Sequence, residues 1–127
     1  MDEKLRRERL TVPTGKIRLV IDTDAKNEVD DQFAIAWALR SPERFQVEAV
    51  YAAPFSHTVF RHNIGDLDFA VQEDPAEGME QSYQEIRKIF QLLDENPDGR
   101  VFRGATGYLN EKRDPVMSDA VRDLIER

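Results

Sequence analysis

Three apolar stretches with different periodicities follow one another between residues 16 and 53. "KIRLVI" (16–21) is short, β-branched and ends at polar residues, the pattern of a strand buried on both faces. "DDQFAIAWALRS" (30–41) is alanine-rich, sets Phe33, Ala36, Trp37 and Arg40 at helical spacing, and meets a stop signal at Ser41–Pro42. "FQVEAVYAA" (45–53) alternates in part, as a second strand does. Strand, helix and strand make a βαβ unit, and its right-handed crossover leaves the two strands parallel. Open parallel sheets hold ligands beyond the carboxyl ends of their strands. The first such end here is "DTDAKNEVDD" (22–31).

The rest of the chain extends the same pattern. Residues 1–15 are charged and then turn-like, an N-terminal arm or short capping helix. Residues 54–77 show no clean period, and loops of that length in a compact domain are often functional. Residues 78–99 read as a strong helix with Met79, Tyr83, Ile86, Ile89, Phe90 and Leu93 as its stripe and "NPDG" as its end. "RVFRG" (100–104) is a short strand, and 118–127 begins a helix capped by Ser118. The expectation is an α/β fold: one domain over 16–127, an open, mainly parallel sheet with flanking helices.

Composition removes several partner classes. The net charge is −7, which repels nucleic-acid backbones and anionic membranes. Cysteine is absent, which suits a reducing cytoplasm. No apolar run approaches the ~18 residues of a membrane span, and "MDEKLRRERL" has no apolar signal segment. A cytoplasmic protein acting on a cation or a small molecule is expected.

Asp22, Asp24, Asp30 and Asp31 crowd the first strand end. A plain structural explanation exists: Asp30 as helix N-cap, Asp31 complementing the helix dipole, Asp22 and Asp24 as solvated loop residues. A cap needs one carboxylate, however, and crowded like charges cost stability unless a cation neutralises them. Hard cations such as Ca²⁺ or Mg²⁺ take oxygen ligands of this kind. An EF-hand loop is excluded, because Lys26, Asn27 and Phe33 occupy its third-ligand, glycine and final-glutamate positions. Phosphohydrolases of the haloacid dehalogenase type end a strand in D-x-D-x-[TV]. Here "VIDTDAK" offers Asp22 as nucleophile and Asp24 as acid, with Lys26 in the Thr/Val position.

The stretch "VIDTDAKNEVDDQFAIAWAL" most resembles the N-terminal motif of the inosine-uridine-preferring nucleoside hydrolases: a strand, D-x-D-P-G-x-D-D, then an alanine-rich helix. "VEAVYAAP", "EGMEQSYQEIRKIFQLL" and "GRVFRGATGYL" follow the family's next elements more loosely. The resemblance implies a Rossmann-like open sheet and calcium-dependent hydrolysis of the N-glycosidic bond of ribonucleosides. By position, Asp24 matches the carboxylate that ligates Ca²⁺ and takes a proton from water. Asp31 matches a second metal ligand, Asp30 an acceptor for a ribose hydroxyl, and Asp22 a supporting carboxylate behind them.

Departures are visible too. Five residues separate Asp24 from Asp30, where the family has three, and the Pro-Gly is missing. The longer loop brings Asn27 or Glu28 toward the substrate. After the second strand, Ser56 and His57 stand where the family has a ribose-binding asparagine; His62 lacks a spaced partner. Glu77 and Glu80, early in the next helix, are further candidates. The family's other calcium ligands would fall beyond Arg127, so the resemblance covers only the N-terminal part of the family. On that reading the chain is a fragment, or a homo-oligomer whose self-association covers an apolar sheet edge. A non-catalytic metal- or ribose-binding relative is the other outcome.

Overall fold

The structure, a computed structural model, describes residues 2–56, 72–109 and 114–127. Val, Tyr and Ala concentrate in Phe45–Ala52, and this stretch becomes β2, the central strand of a three-stranded sheet ordered β1–β2–β3. β1 is Ile17–Thr23 and β3 is Val101–Arg103; both pair with β2 in parallel. Among the described residues four helices accompany them: α1 (Glu3–Arg9), α2 (Asp30–Leu39), α3 (Pro75–Leu92) and α4 (Asp119–Glu126).

The alternation of β2 divides the molecule into two layers. Val47, Val50 and Ala52 turn toward α2 and α3, where they meet Ile35, Leu39, Ile86 and Phe90 in the main core. Ile35, Val50, Ile86 and Phe90 are fully buried, each contributing roughly 1.5–3 kcal/mol of burial. Ala49 and Tyr51 turn the other way, toward Ala120 of α4, with Val20 and Phe102 beside them. Helices on both faces of a parallel sheet define an α/β fold of Rossmann-like type. Among the described residues no helix is long and apolar enough to cross a membrane.

The βαβ unit forms as expected, and so do β3, the α3 stripe and the Ser118 cap, whose hydroxyl accepts from the Val121 amide at 3.2 Å. α3 starts three residues before Gly78, at Pro75, because the Asp74 side chain caps the Ala76 amide at 2.9 Å. Within the N-terminal arm, α1 forms but buries nothing. Arg44 ties the following turn to the sheet through the carbonyls of Pro13 and Gly15.

Three expectations are corrected. β1 is not buried on both faces: among the described residues it is an edge strand paired with β2 alone, with Ile17, Leu19, Val20 and Ile21 half-buried and Arg18 exposed. β1 also runs on through Asp22 and Thr23, opposite Tyr51 and Ala52, so Asp22 is a strand residue and not a loop residue. Asp30 does not cap α2; Val29 holds that position, without a side-chain bond. The spacing of Phe33, Ala36, Trp37 and Arg40 is helical, as read, but it does not mark the buried face. Phe33 and Trp37 are 70% and 72% exposed, and Ile35, Ala38 and Leu39 point inward. A helix apolar on every side offers no periodic signal for choosing its buried face.

Candidate functional site

The acidic residues lie at the carboxyl end of β1 and the start of α2, and two of them, Asp31 and Asp24, are each held by a neutral donor. Thr23, the last residue of β1, is buried, and its hydroxyl donates to Asp31 Oδ1 at 2.6 Å. This bond ties the strand end to the first turn of α2. Across the intervening loop, the Asn27 amide N–H donates to the Asp24 carbonyl at 2.7 Å, and Asn27 Nδ2 donates to Asp24 Oδ2 at 2.9 Å. The two extra loop residues are thereby folded into a turn that Asn27 closes on Asp24. Ala25, fully buried, anchors the turn in the main core.

Asp22 and Asp30 stand apart from these pairs. The period of two along β1 sends Asp22 to the face opposite Thr23, and Asp30 is exposed at the start of α2. Partial burial, then the charge of Asp24, push the Asp22 carboxyl above its ordinary range, with a bond from the Thr23 amide opposing them. Asp22 therefore senses its neighbour across the strand end. Among the described residues, none of the four aspartates forms an ion pair with lysine or arginine.

α3 forms the opposite wall. Glu85 accepts from Gln32 Nε2 at 3.0 Å and lies 3.8 Å from both Lys26 and Lys88. A shallow depression of about 350 Å³ opens between Lys26 and α3, lined by Glu77, Glu80, Gln81, Gln84, Glu85 and Lys88. Glu80 is committed: the Arg103 guanidinium grips it at 2.7 and 3.0 Å, and this bond holds its carboxyl below the ordinary range against the effect of burial. Arg103 also lies 3.7 Å from the ring centroid of Tyr83. The backbone packs closely at two glycines near the carboxyl end of β2. A Cβ on Gly78 would stand 2.1 Å from the Phe55 carbonyl oxygen, and one on Gly104 would stand 2.2 Å from that of Ala52. Beyond β2, Ser56 Oγ and Tyr108 Oη are 3.2 Å apart.

The donor chemistry suits a hard cation in kind and is incomplete in number. Asp24 and Asp31 offer anionic oxygens, but each already has one oxygen engaged by a protein donor, and Ca²⁺ takes six to eight oxygen ligands. No group of three or more His, Asp or Glu side chains is placed to hold a metal ion among the described residues. Asp24 and Asp31 would thus be part of a ligand set, with water or substrate hydroxyls making up the remainder. His57 and His62 lie outside the described residues.

Thr23 and Glu85 are the residues that sequence reasoning overlooked. Thr23 carries a readable signal, since a hydroxyl between two aspartates at a strand end faces the helix that follows. Glu85 carries none, because its role depends on a contact 53 residues away in sequence. Comparison of the chain with protein-family models, with curated proteins and with solved structures gives no match.

Proposed function

We propose that the chain carries part of a calcium-dependent site for hydrolysing the N-glycosidic bond of ribonucleosides. One observation supports this above others. Asp24 and Asp31 are held by neutral donors, Asn27 and Thr23, and among the described residues no cationic side chain pairs with them. Neutral donors fix a carboxylate without cancelling its charge, which leaves the charge for a ligand. A bound Ca²⁺ would lower the pKa of a coordinated water and orient the ribose hydroxyls. Asp24 accepts the proton of the attacking water, working as a general base. Asp31, clamped by Thr23, shares the metal. Asp30, exposed at the helix start, accepts from a ribose hydroxyl, and Asn27 lies beside Asp24 where it reaches the same sugar. His57 is a further substrate contact on this reading, and Asp22 supports Asp24 electrostatically. A cytoplasmic location fits a chain without cysteine.

Release of free base from inosine and uridine, followed chromatographically with and without Ca²⁺, tests the proposal. Turnover should require Ca²⁺ and fall by roughly 10²–10⁴ in Asp24→Asn, the usual worth of a general base. No base release by the wild-type chain at any Ca²⁺ concentration would remove the catalytic claim.

A second reading draws on the Asn27–Asp24 bond, which occupies one oxygen of the proposed base. The chain is then a non-catalytic binder of metal and ribose, showing Ca²⁺ binding without turnover. The phosphohydrolase alternative has less support. Its nucleophile, Asp22, lies within β1 on the face opposite Thr23, and Lys26 holds the Thr/Val position of its motif.

A further inference from the structure

Lys26 is the only cationic side chain between Asp22 and Asp31. It sits inside the turn that Asn27 closes on Asp24. Its flexible stem therefore starts two residues from the proposed base, close to several carboxylates that attract an ammonium. The ammonium nevertheless lies elsewhere. Lys26 Nζ is 3.8 Å from Glu85 of α3.

Glu85 is placed to hold it. The Glu85 side chain is 13% exposed, against 49% for Lys26. A carboxylate so sheltered is screened less than one in open solvent, so a nearby cation stabilises it more. Gln32 Nε2 donates to Glu85 at 3.0 Å and fixes the carboxylate against the first turn of α2. That turn has no side-chain cap of its own. The neighbouring acid of α3, Glu80, is already gripped by Arg103.

We propose that Glu85 is a positioning residue: it holds Lys26 on α3 and so leaves Asp24 and Asp31 without a counter-charge from their own loop. The value of this to the protein rests on the Ca²⁺ reading above; the diversion of Lys26 itself does not. With Glu85 neutral, Lys26 turns back to the aspartates and competes with an arriving cation. One ammonium at contact distance in water changes the affinity for that cation about three- to fivefold.

Ca²⁺ titration at low ionic strength tests the assignment. Glu85→Gln keeps an acceptor for Gln32 and removes the charge. It should weaken Ca²⁺ binding about three- to fivefold, and the difference should shrink at high salt. Adding Lys26→Met to Glu85→Gln should restore wild-type affinity. Adding Lys88→Met, which restores the same net charge beside Glu85 but leaves Lys26 free, should not. Lys26→Met alone should change binding little, because Lys26 is already diverted. Equal rescue by the two lysine substitutions would reduce Glu85 to a unit of net charge and overturn the proposal. So would Lys26→Met strengthening binding as much alone as in the Glu85→Gln chain. A second readout needs no metal. Proton NMR should show contacts from the Lys26 ε-methylene to Glu85 in the wild-type chain, and to Asp24 and Asn27 in Glu85→Gln. Wild-type contacts to Asp24 instead of Glu85 would overturn the proposal whether or not the variant folds. A wild-type chain that binds no Ca²⁺ removes the proposed function, and the NMR contacts then decide the placement of Lys26 on their own.

Discussion

The molecule carries two groups of carboxylates and treats them in opposite ways. On the α4 side of the sheet, Glu48 takes both arms of Arg18 at 2.6 and 2.7 Å and lies 3.8 Å from Arg127. Asp123 there accepts from Arg127 at 2.5 Å and from the Tyr51 hydroxyl at 2.6 Å. At the carboxyl end of β1, Asp24 and Asp31 accept from the Asn27 amide and the Thr23 hydroxyl, without a cationic partner among the described residues. The first group is neutralised from within and fastens α4 to the sheet. The second group has no counter-charge among the described residues. Carboxylates balanced by arginine hold a fold together; the proposed function takes those held by neutral donors at a strand end as partners for a cation.

The contrast breaks most visibly at Asp123. Asp123→Ala leaves the Tyr51 hydroxyl and the Arg127 guanidinium without their acceptor and should cost about 2–3 kcal/mol in urea unfolding. Asp30→Ala, at an exposed position with no partner among the described residues, should stay within ~0.5 kcal/mol. Equal costs at the two positions would erase the distinction. Tyr51→Phe, which removes one hydrogen bond and keeps the ring against Phe102, should cost about 1 kcal/mol.

Acid titration sharpens the same contrast. The bond from Arg18 holds Glu48 below its ordinary range. Burial pushes Asp123 up, but the bonds from Arg127 and Tyr51 outweigh it and leave the carboxyl lowered. Groups with lowered folded-state values contribute stability above their unfolded values, near ~4, and lose that contribution as pH falls through the folded values. Asp22 runs the other way. Its raised value means that its charge costs stability at neutral pH, and the cost disappears as pH falls below the unfolded value. Thermal melts between about pH 3 and 7 should show a net loss of stability toward acid, and that loss should flatten in Asp123→Asn. The smallest effect belongs to Asp22→Asn. It should stabilise the metal-free chain by on the order of a few tenths of a kcal/mol, since solvent screens an exposed carboxylate. A destabilised Asp22→Asn chain would mean that the strand end needs this charge.

Legibility from sequence followed local chemistry. The α3 stripe and the Ser118 cap were readable because short-range periodicity and one hydroxyl settle them. The parallel pairing of β1 and β2 followed from the crossover rule. The exposed face of α2 was unreadable, because an all-apolar helix leaves the choice to the sheet and to α3. Also hidden was the register shift between Leu19 and Val20, which makes Glu48 the extra residue opposite β1 and lets it meet Arg18. At the site, the aspartates were conspicuous, but their division into a Thr23–Asp31 pair and an Asn27–Asp24 pair was not. That division depends on where β1 ends, two residues later than the apolar run suggests.

Calorimetric titration with Ca²⁺ tests the central claim most directly. The wild-type chain should bind one ion with a dissociation constant in the ~0.1–1 mM range, as sites with few protein ligands do. Asp24→Asn and Asp31→Asn should each weaken binding at least tenfold, and Asp123→Asn, in the arginine-balanced group, should leave it unchanged. Absence of binding, or equal binding by wild type and Asp24→Asn, would contradict the assignment of these aspartates to a metal.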